Sequence, residues 1–193
     1  MLKELRVAAI MVLLMTALTG LAYPLAVTGV AQLLFPGAAN GSLLYDADGN
    51  PIGSELIAQK FSRPEYFQPR PSAVYYDART SGATNAAPSA QRLVDDIRDR
   101  AEEARGWIGE RQIPIEMVTS SGSGLDPHIS PASAYAQAPR VARLRNIAEG
   151  DLWKIIAAHV EGRTFSIFGE PRVNVLKLNI ALDELPKPPA PPE

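Results

Sequence analysis

The chain has 193 residues, 46% of them hydrophobic and 21% charged, with a formal net charge of −2 at pH 7. That length suits one domain of ordinary size, and 19 Lys+Arg against 21 Asp+Glu leave no basic stripe to follow a nucleic-acid backbone. The absence of cysteine removes disulfides, thiolate metal sites and Fe–S clusters, and His128 and His159 alone are little material for a zinc site or a proton relay.

The first element is apolar. Lys3, Glu4 and Arg6 are followed by no charged residue until Asp46, and residues 7–35 are dominated by Val, Ala, Ile, Leu and Met. Crossing a hydrocarbon core of about 30 Å takes roughly 20 apolar residues, so this stretch is long enough even with a bend at Pro24. A cleavable secretory signal needs only about 7–15 apolar residues. Val7 to Leu18 followed by Gly20-Leu21-Ala22 fits that alternative, but apolar character continues through Leu25, Val27, Val30, Leu33 and Leu34. The expectation is an uncleaved transmembrane helix over 7–35 behind a cytoplasmic N-terminus, 1–6. Lys3 and Arg6 flank it on one side and no further Lys or Arg appears until Lys60, which places the rest of the chain outside the cell. Thr16 with Gly20, and Ala22 with Ala26, have the small-xxx-small spacing that lets helices approach closely in lipid. These four residues are the expected membrane-helix contact.

Pro36-Gly37 reads as the helix terminator. Ser42 to Tyr45 and Ile52 to Ile57 flank Asp46-Ala47-Asp48-Gly49-Asn50, a pattern for a β-hairpin with an acidic turn. It is not an EF-hand, because loop positions 6 and 12 need glycine and glutamate and hold Pro51 and Ile57. Residues 63–85 are rich in proline, serine and aromatics; Tyr66, Phe67, Tyr75 and Tyr76 argue for an ordered loop with a contact role. A helix is expected from Pro88 to about Ile108, with Leu93, Ile97, Ala101, Ala104 and Ile108 on one stripe and charges on the solvated face. A short strand over 113–119 and a helix over 131–145 follow, then a helix carrying Leu152, Ile155, Ile156 and Val160. Strands over 165–168 and 172–178 and a helical stretch over 179–185 complete the domain. The fold class is α+β: one N-terminal transmembrane helix, then a single exported mixed domain over 36–185. Residues 186–193 read as a proline-rich, disordered tail.

Chemistry is scarce. No glycine precedes a lysine, so the phosphate loop with its lysine is absent, and Gly122-Ser123-Gly124 is too short for a G-x-S-x-G nucleophile elbow. His128, near Asp126 in a Ser/Gly/Asp-rich stretch, reads as a polar loop residue, and His159 as a packed helical one. Arg140, Arg143 and Arg145 read as an exposed basic face. No catalytic or metal-binding constellation is expected.

The residues nevertheless resemble one family. Thr119-Ser120-Ser121-Gly122-Ser123-Gly124-Leu125-Asp126-Pro127-His128-Ile129-Ser130-Pro131 is similar to the C subunit of the Kdp potassium-transporting ATPase, the KdpC family. The likeness continues through Gln137-Ala138-Pro139-Arg140-Val141-Ala142, Arg145-Asn146, Gly169-Glu170-Pro171-Arg172-Val173-Asn174-Val175-Leu176, Leu178-Asn179 and Ala181-Leu182-Asp183. Upstream it includes Tyr23-Pro24, Asn40-Gly41-Ser42, Gly53-Ser54, Leu56-Ile57, Phe67, Arg70-Pro71-Ser72 and Ser81-Gly82, while Ala83 and Thr84 depart from a more Gly/Ser-rich block. The resemblance implies a non-catalytic, single-pass subunit of the bacterial cell (inner) membrane. Its implied partners are a potassium-channel-like subunit, a P-type ATPase subunit and a small membrane subunit. Its implied role is to stabilise the assembly and, as a catalytic chaperone, to raise the ATP affinity of the ATPase subunit.

By the same resemblance Ser121, Gly122, Ser123, Gly124 and Gln137 are nucleotide-contact residues, with ATP entering through the ATPase subunit and no cofactor held by this chain alone. The charge rule places the domain away from cytoplasmic ATP, so an effect on ATP affinity would have to travel through the assembly. Readings from other classes are a membrane-tethered exported hydrolase with a hidden Ser/His/Asp site and a free periplasmic binding protein released by signal cleavage.

Overall fold

The computed structural model describes residues 1–46 and 48–185, so the proline-rich tail lies outside the described residues. It divides into two compact units, Met1–Ile52 and Gly53–Glu193.

In the first unit, α1 (Leu2–Thr16), a π-helical turn (Ala17–Ala22) and α2 (Tyr23–Leu34) form one unbroken helix of 33 residues, none of them buried. At 1.5 Å per residue it is about 50 Å long, more than the hydrocarbon core requires. Its length and apolar composition are those of a membrane-crossing helix. Pro24 explains the π-helical turn. It has no N–H to give to Gly20, and its ring crowds that carbonyl. The backbone widens just ahead of it, so that the Tyr23 N–H reaches back to the Leu18 carbonyl. Where the sequence suggests a bend, the helix takes in an extra residue.

The helix stops at Leu34, Phe35 leaves helical geometry, and α3 (Pro36–Ala39) adds a single turn. The expected hairpin is present as β1 (Leu43–Tyr45) and β2 (Pro51–Ser54), its second strand ending at Ser54 rather than Ile57. The Asp46 carboxylate is used within that turn: it accepts the Asn50 N–H at 2.7 Å and the Asp48 N–H at 3.0 Å. Those bonds, Asn50's first, hold its carboxyl below the ordinary range.

The second unit contains α4 (Gln91–Ile108), a 3₁₀ turn (Ile115–Met117), β3 (His128–Ile129), α5 (Pro131–Arg145) and α6 (Glu149–Ala158). It continues with β4 (Val160–Glu161), β5 (Arg172–Asn174) and α7 (Val175–Asp183). β5 is the middle strand of an antiparallel sheet, with Val173 opposite both Ile129 and Val160. Ala134, Ala138 and Ala142 give α5 a low face against the core, which Val141, Leu152, Ile156, Val173, Leu178, Leu182 and Phe67 fill. Pro131 opens α5 and the Ser130 hydroxyl oxygen accepts the Ser133 N–H at 3.2 Å, while left-handed Asn146 closes it.

Several sequence expectations are corrected. The 113–119 stretch is a 3₁₀ turn rather than a strand, since Pro114 has no N–H for a ladder. The 165–168 stretch is the tip of a hairpin joined by a Thr164–Phe168 bridge. The strand expected over 172–178 ends at Asn174, whose side-chain oxygen accepts the Lys177 N–H at 3.1 Å and starts α7 there. α4 begins at Gln91, not Pro88, and Val160 belongs to β4 rather than to the helix before it.

Candidate functional site

The stretch from Lys60 to Tyr76 contains no helix or strand, so its backbone groups need partners from elsewhere. Two primary amides supply them. Phe67, fully buried, donates its N–H to Asn179 Oδ1 at 2.9 Å, and Asn179 Nδ2 donates to the Phe67 carbonyl at 3.0 Å. One residue on, the Gln68 N–H donates to Gln137 Oε1 at 2.8 Å and Gln137 Nε2 donates to the Gln68 carbonyl at 3.1 Å. Each amide thus pairs with the loop as a neighbouring strand would.

Two arginines complete the latch. Arg140 donates from Nη2 to the Tyr66 carbonyl at 2.9 Å and to Gln137 Oε1 at 3.0 Å, from Nη1 to the Pro64 carbonyl, and lies over the Trp107 ring. Arg145 donates from Nε to the Glu65 carbonyl at 3.0 Å, from Nη1 to the Leu182 carbonyl at 2.9 Å and from Nη2 to Asp183 Oδ1 at 2.8 Å. The exposed basic face expected at 140–145 is therefore corrected. Arg140 is only 5% exposed and Arg145 is partly buried, because the loop carbonyls require donors; Arg143 alone is exposed. Burial pushes the Arg140 pKa down to about 10, which leaves it charged at neutral pH.

Between this loop and α4 lies a cleft of about 520 Å³. Lys60, Arg100 and Arg140 line it with Glu103, and Phe61 and Trp107 add aromatic faces. Among the described residues the buried Arg140 Nε–H has no hydrogen-bond partner. By its donors and rings the cleft can accept a flat or anionic group.

The sequence-derived nucleotide residues lie behind this cleft rather than in its lining. Gln137 is 1% exposed and reaches the lining only through its bonds to Gln68 and Arg140. In the Gly/Ser loop, Ser121 and Gly124 are buried while Gly122 and Ser123 are exposed. This loop is tied to the lining by the Ser121 N–H to the Pro71 carbonyl at 3.0 Å and the Ser72 hydroxyl to the Gly124 carbonyl at 2.7 Å. Gly124 has φ +69°, and a Cβ there would lie 2.6 Å from the Val74 side chain and 2.8 Å from the Gly82 carbonyl. Only glycine fits.

A second polar cluster surrounds His128. This residue lies in β3, not in a loop, and sits between Asp126 (3.6 Å) and Glu161 (3.9 Å). Burial alone would raise both carboxyl pKa values. The His128 side chain and backbone N–H with Arg70 outweigh it at Asp126, and Arg172 with His128 and Lys177 outweigh it at Glu161, so both lie below the usual range. His159 ends α6 with Nδ1 2.8 Å from the Ile155 carbonyl. Sequence reasoning missed Asn179, Arg140 and Arg145 as the residues that fix the loop. The available signal was a polar residue, Asn179, on the face of α7 that carries Val175, Leu178 and Leu182.

Among the described residues one apolar helix is long enough to span a bilayer, and it precedes an α+β unit with a latched loop, the layout of a membrane-anchored domain. The comparisons make this specific. The family model described as "K+-transporting ATPase, c chain" matches residues 5–184. The chain is 51% identical to the potassium-transporting ATPase KdpC subunit of Caulobacter vibrioides, covering 95% of this chain and 94% of that one. It is 48% identical to the KdpC subunit of Geobacter sulfurreducens and 44% identical to that of Bradyrhizobium diazoefficiens, each over 95% of this chain and 98% of the relative. The chain belongs to the KdpC family.

Proposed function

We propose that this chain is the accessory C subunit of a bacterial potassium-transporting ATPase, contributing structure and regulation rather than chemistry. The observation that carries the reading is the family match over residues 5–184, which takes in the membrane helix and the domain together. Its partners are a potassium-channel-like subunit, a P-type ATPase subunit and a small membrane subunit. The N-terminus is cytoplasmic and the domain lies outside the inner membrane, as the placement of Lys3 and Arg6 favours. The subunit stabilises the assembly and acts as a catalytic chaperone that raises the ATP affinity of the ATPase subunit.

Because ATP is cytoplasmic, that effect is a population shift transmitted through the assembled pump. Ser121–Gly124 and Gln137 then serve this coupling by holding the cleft loop in place rather than by holding nucleotide. The test is purification of the tagged full chain from native membranes. Potassium-stimulated ATPase activity should accompany it, and the apparent KM for ATP should rise when the chain is removed. A chain that purifies alone, or an unchanged KM, would overturn the reading.

A further inference from the structure

We propose that the tip of the β4–β5 hairpin is a docking finger that enters an apolar pocket on a protein partner within the assembly. Phe165, Ile167 and Phe168 are 84%, 70% and 66% exposed, three large apolar side chains within four residues. Scattered exposed hydrophobics are ordinary on a protein surface; a cluster at the end of a projecting turn is not.

Backbone hydrogen bonds close the finger. The Thr164 N–H donates to the Phe168 carbonyl at 2.8 Å and the Phe168 N–H returns to the Thr164 carbonyl at 2.9 Å. Phe165 and Ser166 take φ +52° and +61°, a left-handed conformation that glycine or asparagine would adopt with less strain. A bulky aromatic in that conformation, 84% exposed, buries little of its area within this domain. Fixed in advance, it loses little conformational entropy on entering a pocket.

The charges around the finger select the occupant. Arg163 pairs with both oxygens of Glu170 at 3.0 and 2.8 Å, and Arg172 pairs with Glu161 at 2.9 Å. Segments that bind membrane surfaces carry an excess of Lys and Arg to meet anionic headgroups, whereas here each arginine faces a glutamate. An apolar centre with a charge-balanced polar rim is the pattern of a protein interface, with the aromatics as anchors. The occupant is therefore an apolar pocket, rimmed by both signs of charge, on another subunit. This inference rests on the assembly reading above.

The test places benzoylphenylalanine at position 168 of the full chain within the purified complex, and irradiates it. A covalent product with one other subunit, identified by peptide mass, is expected. The variant F165S/I167S/F168S should also be retained in the complex at least about tenfold less well. Its thermal midpoint should not change, since the replaced side chains are solvent-exposed. Cross-linking to lipid, to a second copy of this chain, or to nothing within an intact complex would overturn the finger and leave the assembly reading standing. Failure to recover any complex with the unmodified chain would overturn both.

Discussion

A side-chain amide buried as deeply as Gln137 destabilises a fold unless both of its ends are paired. Gln137 and Asn179 meet that condition by pairing with consecutive residues of one loop. Asn179→Ala would leave the Phe67 N–H and carbonyl unpaired beside a fully buried ring. It should cost about 1–3 kcal/mol in denaturant unfolding of the detergent-solubilised chain. Gln137→Ala should cost a similar amount and speed hydrogen exchange at Gln68. An exchange rate unchanged at Gln68 would show that the latch contributes nothing there. The carboxylates beside His128 set a different dependence. Asp126 and Glu161 have folded pKa values below their ordinary ones, so their contribution is fully present above the ordinary carboxylate range and is lost as pH falls through the folded values. Acid unfolding monitored by circular dichroism should therefore shift to higher pH in Glu161→Gln, because that variant lacks the carboxylate that Arg172 and Lys177 stabilise.

The elements differ in how far the sequence reveals them. α5 was legible to the residue over 131–145, and the apolar stripe of α4 was legible apart from its start, because several turns of 3.6-residue periodicity are needed to establish a pattern. β3, β4 and β5 have two or three residues each, too few for an alternation, and their pairing is set by the core around Val173 rather than locally. The start of α7 turned on one Asn174 cap within Val173 to Leu178, a run that reads equally well as strand. In the membrane helix, a Cβ on Gly20 would lie 3.9 Å from the Thr16 methyl, an ordinary contact distance. Gly20→Leu should therefore leave this helix intact while weakening co-purification with the membrane partners, if the Thr16, Gly20, Ala22 and Ala26 face carries the contact. Undiminished co-purification would show that the partners pack elsewhere.

At the scale of the whole molecule, the family and the long apolar helix were legible from residue blocks and from one uncharged stretch, but the geometry around the resemblance-derived nucleotide residues was not. Apolar periodicity reveals the inward face of a helix, but it gives no information on which polar side chains turn inward to meet a loop distant in sequence. Gln137 and Ser121 are buried behind a cleft whose walls come from α4 and a loop far away in sequence, and Arg140 and Arg145 on α5 bind loop carbonyls. Two arrangements of function remain physically distinct. With the domain outside, a reporter active only beyond the inner membrane and fused after Leu185 should be active, and calorimetric titration of the full chain with ATP should give no micromolar binding. The assembled pump should still lose ATP affinity without this subunit, because coupling needs only that the two pump states contact the domain differently. If the reporter is silent and micromolar binding is abolished by Arg140→Ala, which removes the guanidinium with the unpaired Nε–H at the cleft, nucleotide meets this chain directly. The domain would then have to face the cytoplasm, against the charge asymmetry of Lys3 and Arg6.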